Sequence, residues 1–258
     1  MQKLGGLDAR RVKEAYMEPR PLLKLLVEAG LGSRRKLADT IRQDRVQVNG
    51  EVIQDFSHPV DVKADTVSVD GKLVSLKSEP TVYLMLNKPA GVLSTTKDTR
   101  GRKTVLDILP KKYRGLRLYP VGRLDKDSTG LLLLTNDGEL TYQLTHPKFG
   151  HEKEYLVSIK DKLQSSEKGE MEKGLQLDDG MTYAARIREV KKFPFIYSIT
   201  IHEGRKRQVR RMFEKLGHRV LTLKRVRVGG LSLGKLKEGQ MRELTTQEVR
   251  RLLLWRSH

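Results

Sequence analysis

Between Gly122 and Gly138 the chain reads Gly-Arg-Leu-Asp-Lys-Asp-Ser-Thr-Gly-Leu-Leu-Leu-Leu-Thr-Asn-Asp-Gly. A polar, glycine-bounded loop carries a carboxylate, Asp125, two residues after a guanidinium, Arg123. The loop runs straight into four leucines at 131–134. An apolar run that short, with turn residues on both sides, predicts a strand buried on both faces. A carboxylate docked on the end of such a strand is held rigidly beside low-dielectric material, as a nucleophile or general base must be. Asp127 shares the loop, and position alone does not rank it below Asp125.

Residues 205–217 supply the opposite charge. Val209, Met212, Phe213 and Leu216 recur at i, i+3, i+4 and i+7, which predicts a helix with one core-facing stripe. Arg207, Arg210 and Arg211 are expected on the opposite side, with Glu214 as the only acid. From Arg205 to Arg227 there are ten Lys or Arg. A purely structural helix mixes signs on its exposed face, so this density predicts a polyanionic ligand, RNA or DNA.

The elements that must position these groups fall into two parts. With 258 residues the chain can bury one substantial core plus a small accessory domain. Residues 1–19 lack periodicity and read as a polar N-terminal extension. From residue 20 to 76 a compact unit is expected. Pro21 suits the first turn of a helix whose apolar residues are Leu22, Leu23, Leu25, Leu26 and Ala29, with Gly30 at its C-terminal cap. Ser33 suits the N-cap of a second helix running to about Arg42. That helix opens on Arg34, Arg35 and Lys36, three cations that oppose the helix dipole unless an anion such as a phosphate sits there. Val46-Gln-Val48-Asn49-Gly50 and Val67-Ser-Val69-Asp70-Gly71 each predict a hairpin.

Residues 77–80 read as a linker, and 81–258 as a second domain of longer strands. Residues 82–86 form a near-continuous apolar strand that ends at the basic turn Asn87-Lys88-Pro89-Ala90-Gly91. Further strands are expected at 155–159, 186–190 and 197–201, and helices at 138–145 and about 167–174. The expected class is α+β, with a mixed, mainly antiparallel sheet in the second domain.

The net charge of +19 points first to nucleic acid and second to an anionic membrane surface. The absence of cysteine excludes disulfides and thiolate zinc sites and removes any chemistry that begins with thiolate attack on a pyrimidine. No secretory leader or membrane-spanning run is read in the sequence, so a cytoplasmic location is expected. His146 and His151 flank a proline turn without partners at metal spacing and are expected at the surface.

Two resemblances follow from these motifs. Two short helices, Gly-Ser-Arg-Arg, then valines running into Val-Asn-Gly resemble the alpha-L RNA-binding domain over about residues 20–75, with Asp44 where the pattern has glycine. This implies that Arg34, Arg35 and Lys36 grip an RNA backbone. Lys88-Pro89-Ala90-Gly91, Gly122-Arg123-Leu124-Asp125, Lys153-Glu154-Tyr155 and Glu203-Gly204-Arg205-Lys206-Arg207-Gln208-Val209-Arg210-Arg211-Met212-Phe213 resemble the pseudouridine synthases of the RsuA/RluB type, over about residues 81–245.

This second resemblance implies an enzyme that isomerises a uridine of ribosomal RNA, with large-subunit RNA favoured. It implies Asp125 as the catalytic aspartate and Tyr155 as the ring that stacks on the base and takes a proton from carbon five. Arg210 would be the counter-ion of the aspartate, and Arg123 would help hold the place of the flipped nucleotide. Lys88, Arg205, Arg207 and Arg211 are expected to contact RNA. Product and substrate have the same atoms, so no cofactor and no metal is required, and a monomer is expected. An RNA-binding ribosome-assembly factor without catalysis remains the alternative. An RNA N-glycosidase is a third reading, separable by the release of free uracil.

Overall fold

The structure, a computed structural model, describes residues 19–192 and 195–255. The expected N-terminal extension, except Pro19, lies outside the described residues. Two compact units meet at residues 80 and 81.

In the first unit, strand β1 (Arg20–Pro21) leads into helix α1 (Leu22–Glu28), and α2 (Arg34–Arg42) follows. Pro21 sits at the N-cap of α1 and not inside its first turn. Gly30, at φ +74°, closes α1: its N–H bonds the Val27 carbonyl while Leu31 N–H bonds that of Leu26. That left-handed exit is what the glycine provides. Ser33 Oγ accepts the Lys36 N–H at 3.1 Å, and no acid occupies the first turn of α2. Arg34, Arg35 and Lys36 are all exposed there. Strands β2 (Val46–Val48), β3 (Glu51–Val52), β4 (Pro59–Val60), β5 (Val67–Val69) and β6 (Lys72–Leu73) complete the unit. Four of them form an antiparallel sheet in the order β3-β2-β5-β6, and β4 pairs with β1. Both hairpin turns adopt positive φ at their central residues, Asn49-Gly50 and Asp70-Gly71. Asp44 takes φ +59°, the conformation a glycine would adopt most easily. Leu22, Leu25, Leu26, Ile41, Val46 and Val60 form its core.

The second unit holds β7 (Tyr83–Lys88), β8 (Tyr119–Val121), β9 (Thr129–Thr135), α3 (Gly138–Thr145), β10 (Lys153–Ile159) and α4 (Ser165–Lys173). These are followed by β11 (Gln176–Leu177), β12 (Gly180–Met181), β13 (Arg186–Lys192), β14 (Phe195–Ile201), α5 (Gln208–Lys215), β15 (Val220–Val228), β16 (Leu231–Ser232), β17 (Met241–Glu243) and α6 (Thr246–Leu253). One mixed sheet runs β13-β14-β10-β15-β9-β7-β17, with β8 on β9 and β16 on β15. Among the described strands only β9 and β15 pair in parallel.

Strand β9 is buried on both faces, as its four leucines predict. Leu132 and Leu134 join a core with Tyr155, Val157, Val209, Met212 and Phe213. Leu131 and Leu133 join a second one with Leu140, Leu144 and Leu252. Helix α5 therefore covers one face of the sheet, while α3 and α6 cover the other. Gly130 makes the parallel contact possible: a Cβ there would lie 2.2 Å from the Arg225 carbonyl oxygen, and its φ is +105°.

Candidate active site

The loop from Gly122 to Ser128 is braced from beneath. Ser94 Oγ donates to the Leu124 carbonyl at 3.0 Å and accepts the Leu124 N–H at 3.1 Å. Gly91 N–H donates to the Lys126 carbonyl, and Ser128 N–H to that of Asp125. Lys88, fully buried at the end of β7, donates to the carbonyls of Ser128 at 2.8 Å, Pro89 at 2.9 Å and Lys126 at 3.3 Å. Burial pushes the Lys88 ammonium down to about 8, opposed by the charges of Asp127, Asp125 and Glu238. Lys88 was expected to face RNA, and that expectation is corrected. All three of its protons are taken up by backbone carbonyls, so it holds the loop that carries Asp125.

The Asp125 side chain is 30 % exposed, so the carboxylate is presented and not sealed in. Its nearest guanidinium belongs to Arg207, at 4.0 Å. Arg210 instead lies 3.1 Å from Asp127 Oδ2, and Arg207 lies 3.5 Å from Asp127 Oδ1. Asp127 is thus the anion both arginines share. Arg207 itself caps α5 at φ +51°, a left-handed conformation that costs a non-glycine residue about 1–2 kcal/mol.

Arg210 also departs from its expected place on the solvent side of α5. Its side chain is 6 % exposed, Nη1 donates to the Val220 carbonyl, and Nε is buried without a hydrogen-bond partner. Two other basic residues of this segment are matched by acids. Arg205 donates to Glu203 and to the carbonyls of Asp179, Gly180 and Met181, tying the β11–β12 turn to the segment before α5. Arg211 pairs with Asp179 at 2.8 Å. Both guanidiniums are engaged within the fold, and each side chain keeps 24 % of its surface exposed. The single-sign density is relieved only in part: Asp179 and the Asp125–Asp127 loop bring acids from distant parts of the chain, while Lys206, Lys215 and Arg219 stay exposed.

Tyr155 is 8 % exposed and belongs to the core that α5 covers. It stands opposite Arg225 of β15, which in turn stands opposite Gly130 of β9. One rung of the sheet therefore links the tyrosine to the strand that begins where the Asp125 loop ends. Two strand spacings separate them, about 10 Å. Arg123 is exposed.

Several positioning groups escaped sequence reasoning. Glu203 is buried and accepts the Tyr183 N–H and the Gln208 side-chain amide, which fixes the turn into α5. Arg225 is buried, with Nε on the Leu131 carbonyl at 2.8 Å. Lys153 donates to the His151 carbonyl, and burial together with the Arg225 charge pushes its ammonium down to about 8 against the opposing pull of Glu203. Glu203 and Lys153 lay inside the motifs without a role of their own, and Arg225 had no signal beyond a charge inside strand-like text. His146 is exposed as expected, whereas His151 is buried under Gly229 and Trp255. Among the described residues no group of three or more His, Cys, Asp or Glu could hold a metal ion.

Fold and site together fit an RNA-directed enzyme: a helix–hairpin module with a cationic helix start, and a separate α+β unit that presents two carboxylates, Asp125 and Asp127, on a braced loop. The S4 domain model matches residues 20–67, and the model described as RNA pseudouridylate synthase matches residues 82–215. The chain belongs to the RNA pseudouridylate synthase family. It is 42 % identical over 241 residues to ribosomal large subunit pseudouridine synthase B of Bacillus subtilis (strain 168), covering 92 % of this chain and 97 % of that one. It is also 42 % identical to the protein of the same description from Vibrio cholerae, covering 88 % and 72 %. A crystal structure of a pseudouridylate synthase superposes with a TM-score of 0.65 at 33 % identity, over 90 % of this chain and 99 % of that one. No described helix is long and apolar enough to cross a membrane.

Proposed function

We propose that this protein converts one uridine of large-subunit ribosomal RNA to pseudouridine, with Asp125 acting on the ribose. The observation that carries the assignment is the braced loop. Lys88, Ser94 and Gly91 fix the backbone on either side of Asp125 while its carboxylate stays accessible. The named relatives act on large-subunit RNA, which supports the substrate.

In the reaction the bond between uracil N1 and ribose C1′ breaks, the base turns, and C1′ bonds to uracil C5, which loses its proton while N1 gains one from solvent. Asp125 either attacks C1′ or removes the neighbouring ribose proton to give a glycal. Arg207 stands at the edge of contact range of that carboxylate, 4.0 Å away, without forming a close pair. Tyr155 lies under the base and receives the C5 proton. Those reacting carbons are closed off in a stacked helix, so the nucleotide is flipped or already unpaired.

Ribosomal RNA transcripts lacking pseudouridine and tritiated at uridine C5 test this. Wild-type protein should release tritium and leave mapped pseudouridine in an intact chain, and Asp125→Ala should do neither. Full activity of Asp125→Ala would refute the site, and free uracil would mark an N-glycosidase.

A further inference from the structure

An exposed group of rings lies outside the catalytic loop and the S4 unit. Helix α3 ends at Thr145, and residues 147–149 form one 3-10 turn. Tyr142, His146 and Phe149 gather there, with ring centroids 5.0 Å apart for Tyr142–His146 and 5.6 Å for Tyr142–Phe149. Tyr142 is 43 % exposed. Lys148 Nζ lies 4.9 Å from the Tyr142 centroid and 4.8 Å from that of Phe149. The His146 ring accepts the Lys148 N–H through Nδ1, which sets its orientation.

We propose that Tyr142 and Phe149, with Lys148, form a stacking platform for an unpaired base of the substrate RNA flanking the target uridine. The proposal rests on RNA being the substrate. Three observations select a nucleic acid over a protein partner. The rings stand beside a cation and among no acid of their own turn: residues 145–150 read Thr-His-Pro-Lys-Phe-Gly in a chain of net charge +19. A flat face beside an ammonium matches a nucleotide, whose base stacks while its phosphate meets the charge. The platform also adjoins the catalytic loop, because the Thr145 methyl lies 3.6 Å from where a Cβ on Gly122 would be. Arg123, one residue further on, is exposed and adds a second cation to this end of the loop. The C-terminal end of α3 thus sits beside the start of the loop that carries Asp125. An exposed lysine–ring contact is weak and flexible enough to yield a ring face to a base.

The full-length protein is titrated with protein-free large-subunit ribosomal RNA, in parallel with tritium release. Tyr142→Leu should raise Kd about fivefold or more, the loss of one base–ring stack. Tyr142→Trp should bind within about twofold of wild type, because a flat ring and not the phenol is required. Lys148→Gln should flatten the slope of log Kd against log salt by about 0.7. Unchanged binding of Tyr142→Leu overturns the proposal. So does equal loss in the Leu and Trp variants with a lowered Tm, which marks packing alone. A Tyr142→Leu defect seen only on protein-containing particles would assign the patch to a protein partner and also overturn it. If wild type releases no tritium yet the binding pattern holds, the isomerase reading fails and the platform stands.

Discussion

Arg210 places Nη2 3.1 Å from Asp127 Oδ2, while Asp125 has only Arg207, at 4.0 Å. The second acid of the loop therefore holds the buried guanidinium, and the first carries no close ion pair. This division leaves the Asp125 carboxylate beside one cation, at a distance that avoids a short ion pair.

Asp127→Asn removes the anion that orients both arginines. We expect kcat to fall on the order of tenfold, with KM little changed, since misplacing a catalytic group costs at least that much. Stability should fall by about 1–3 kcal/mol, because Asp127 is more than half exposed but the Arg210 guanidinium it holds is buried. Steady-state tritium release and a urea melt check both, and an unchanged kcat would deny Asp127 a positioning role.

Lys88 ties stability to alkaline pH. Its proton leaves the folded protein at about 8 but stays on the unfolded chain to the ordinary lysine value, so unfolding takes up a proton in between. Stability from this group is full above that ordinary value, and it is lost as pH falls through about 8. Lys153 shares this direction, so the difference between wild type and Lys88→Met isolates Lys88. That difference should shift in favour of wild type as pH rises from about 8 to 10. The variant should also lose turnover at neutral pH, because three carbonyls around the Asp125 loop lose their donor. A pH-independent difference would rule out the buried ammonium as its source.

Gly130→Ala should cost about 3 kcal/mol or more, since its methyl would overlap the Arg225 backbone and its φ disfavours any side chain. Gly169→Ala, in helix α4 with open space around it, should instead gain up to about 1 kcal/mol. Chemical denaturation of the pair gives a direct comparison, and equal effects would contradict the close approach of β9 and β15.

Replacing Arg34, Arg35 and Lys36 together with alanine should weaken RNA binding at low salt and reduce its salt dependence. With one phosphate per cation, the slope of log Kd against log salt should fall by about 2–3. The helix itself should persist, because Ser33 still caps it. A slope equal to that of wild type would remove these cations from the RNA interface.

Much of the local structure was legible in the sequence because its causes are local. Alternation around Asn49-Gly50 and Asp70-Gly71 specifies hairpins, four leucines between turn residues specify a strand buried twice, and Ser33 specifies a helix start. The family motifs and their order along the chain were equally visible. What tertiary structure alone decided was who partners whom. Lys88 read as a basic turn residue, yet the pairing of β7 with β9 buries it under the Asp125 loop. Arg210 read as an exposed cation destined for Asp125, yet the packing of α5 buries it beside Val220 and within reach of Asp127. The basic run at 205–211 read as unopposed because Asp179 and the Asp125–Asp127 loop lie far away in sequence. Side-chain periodicity and turn chemistry act over a few residues, whereas charge pairing and desolvation depend on distances in space that only the completed sheet sets.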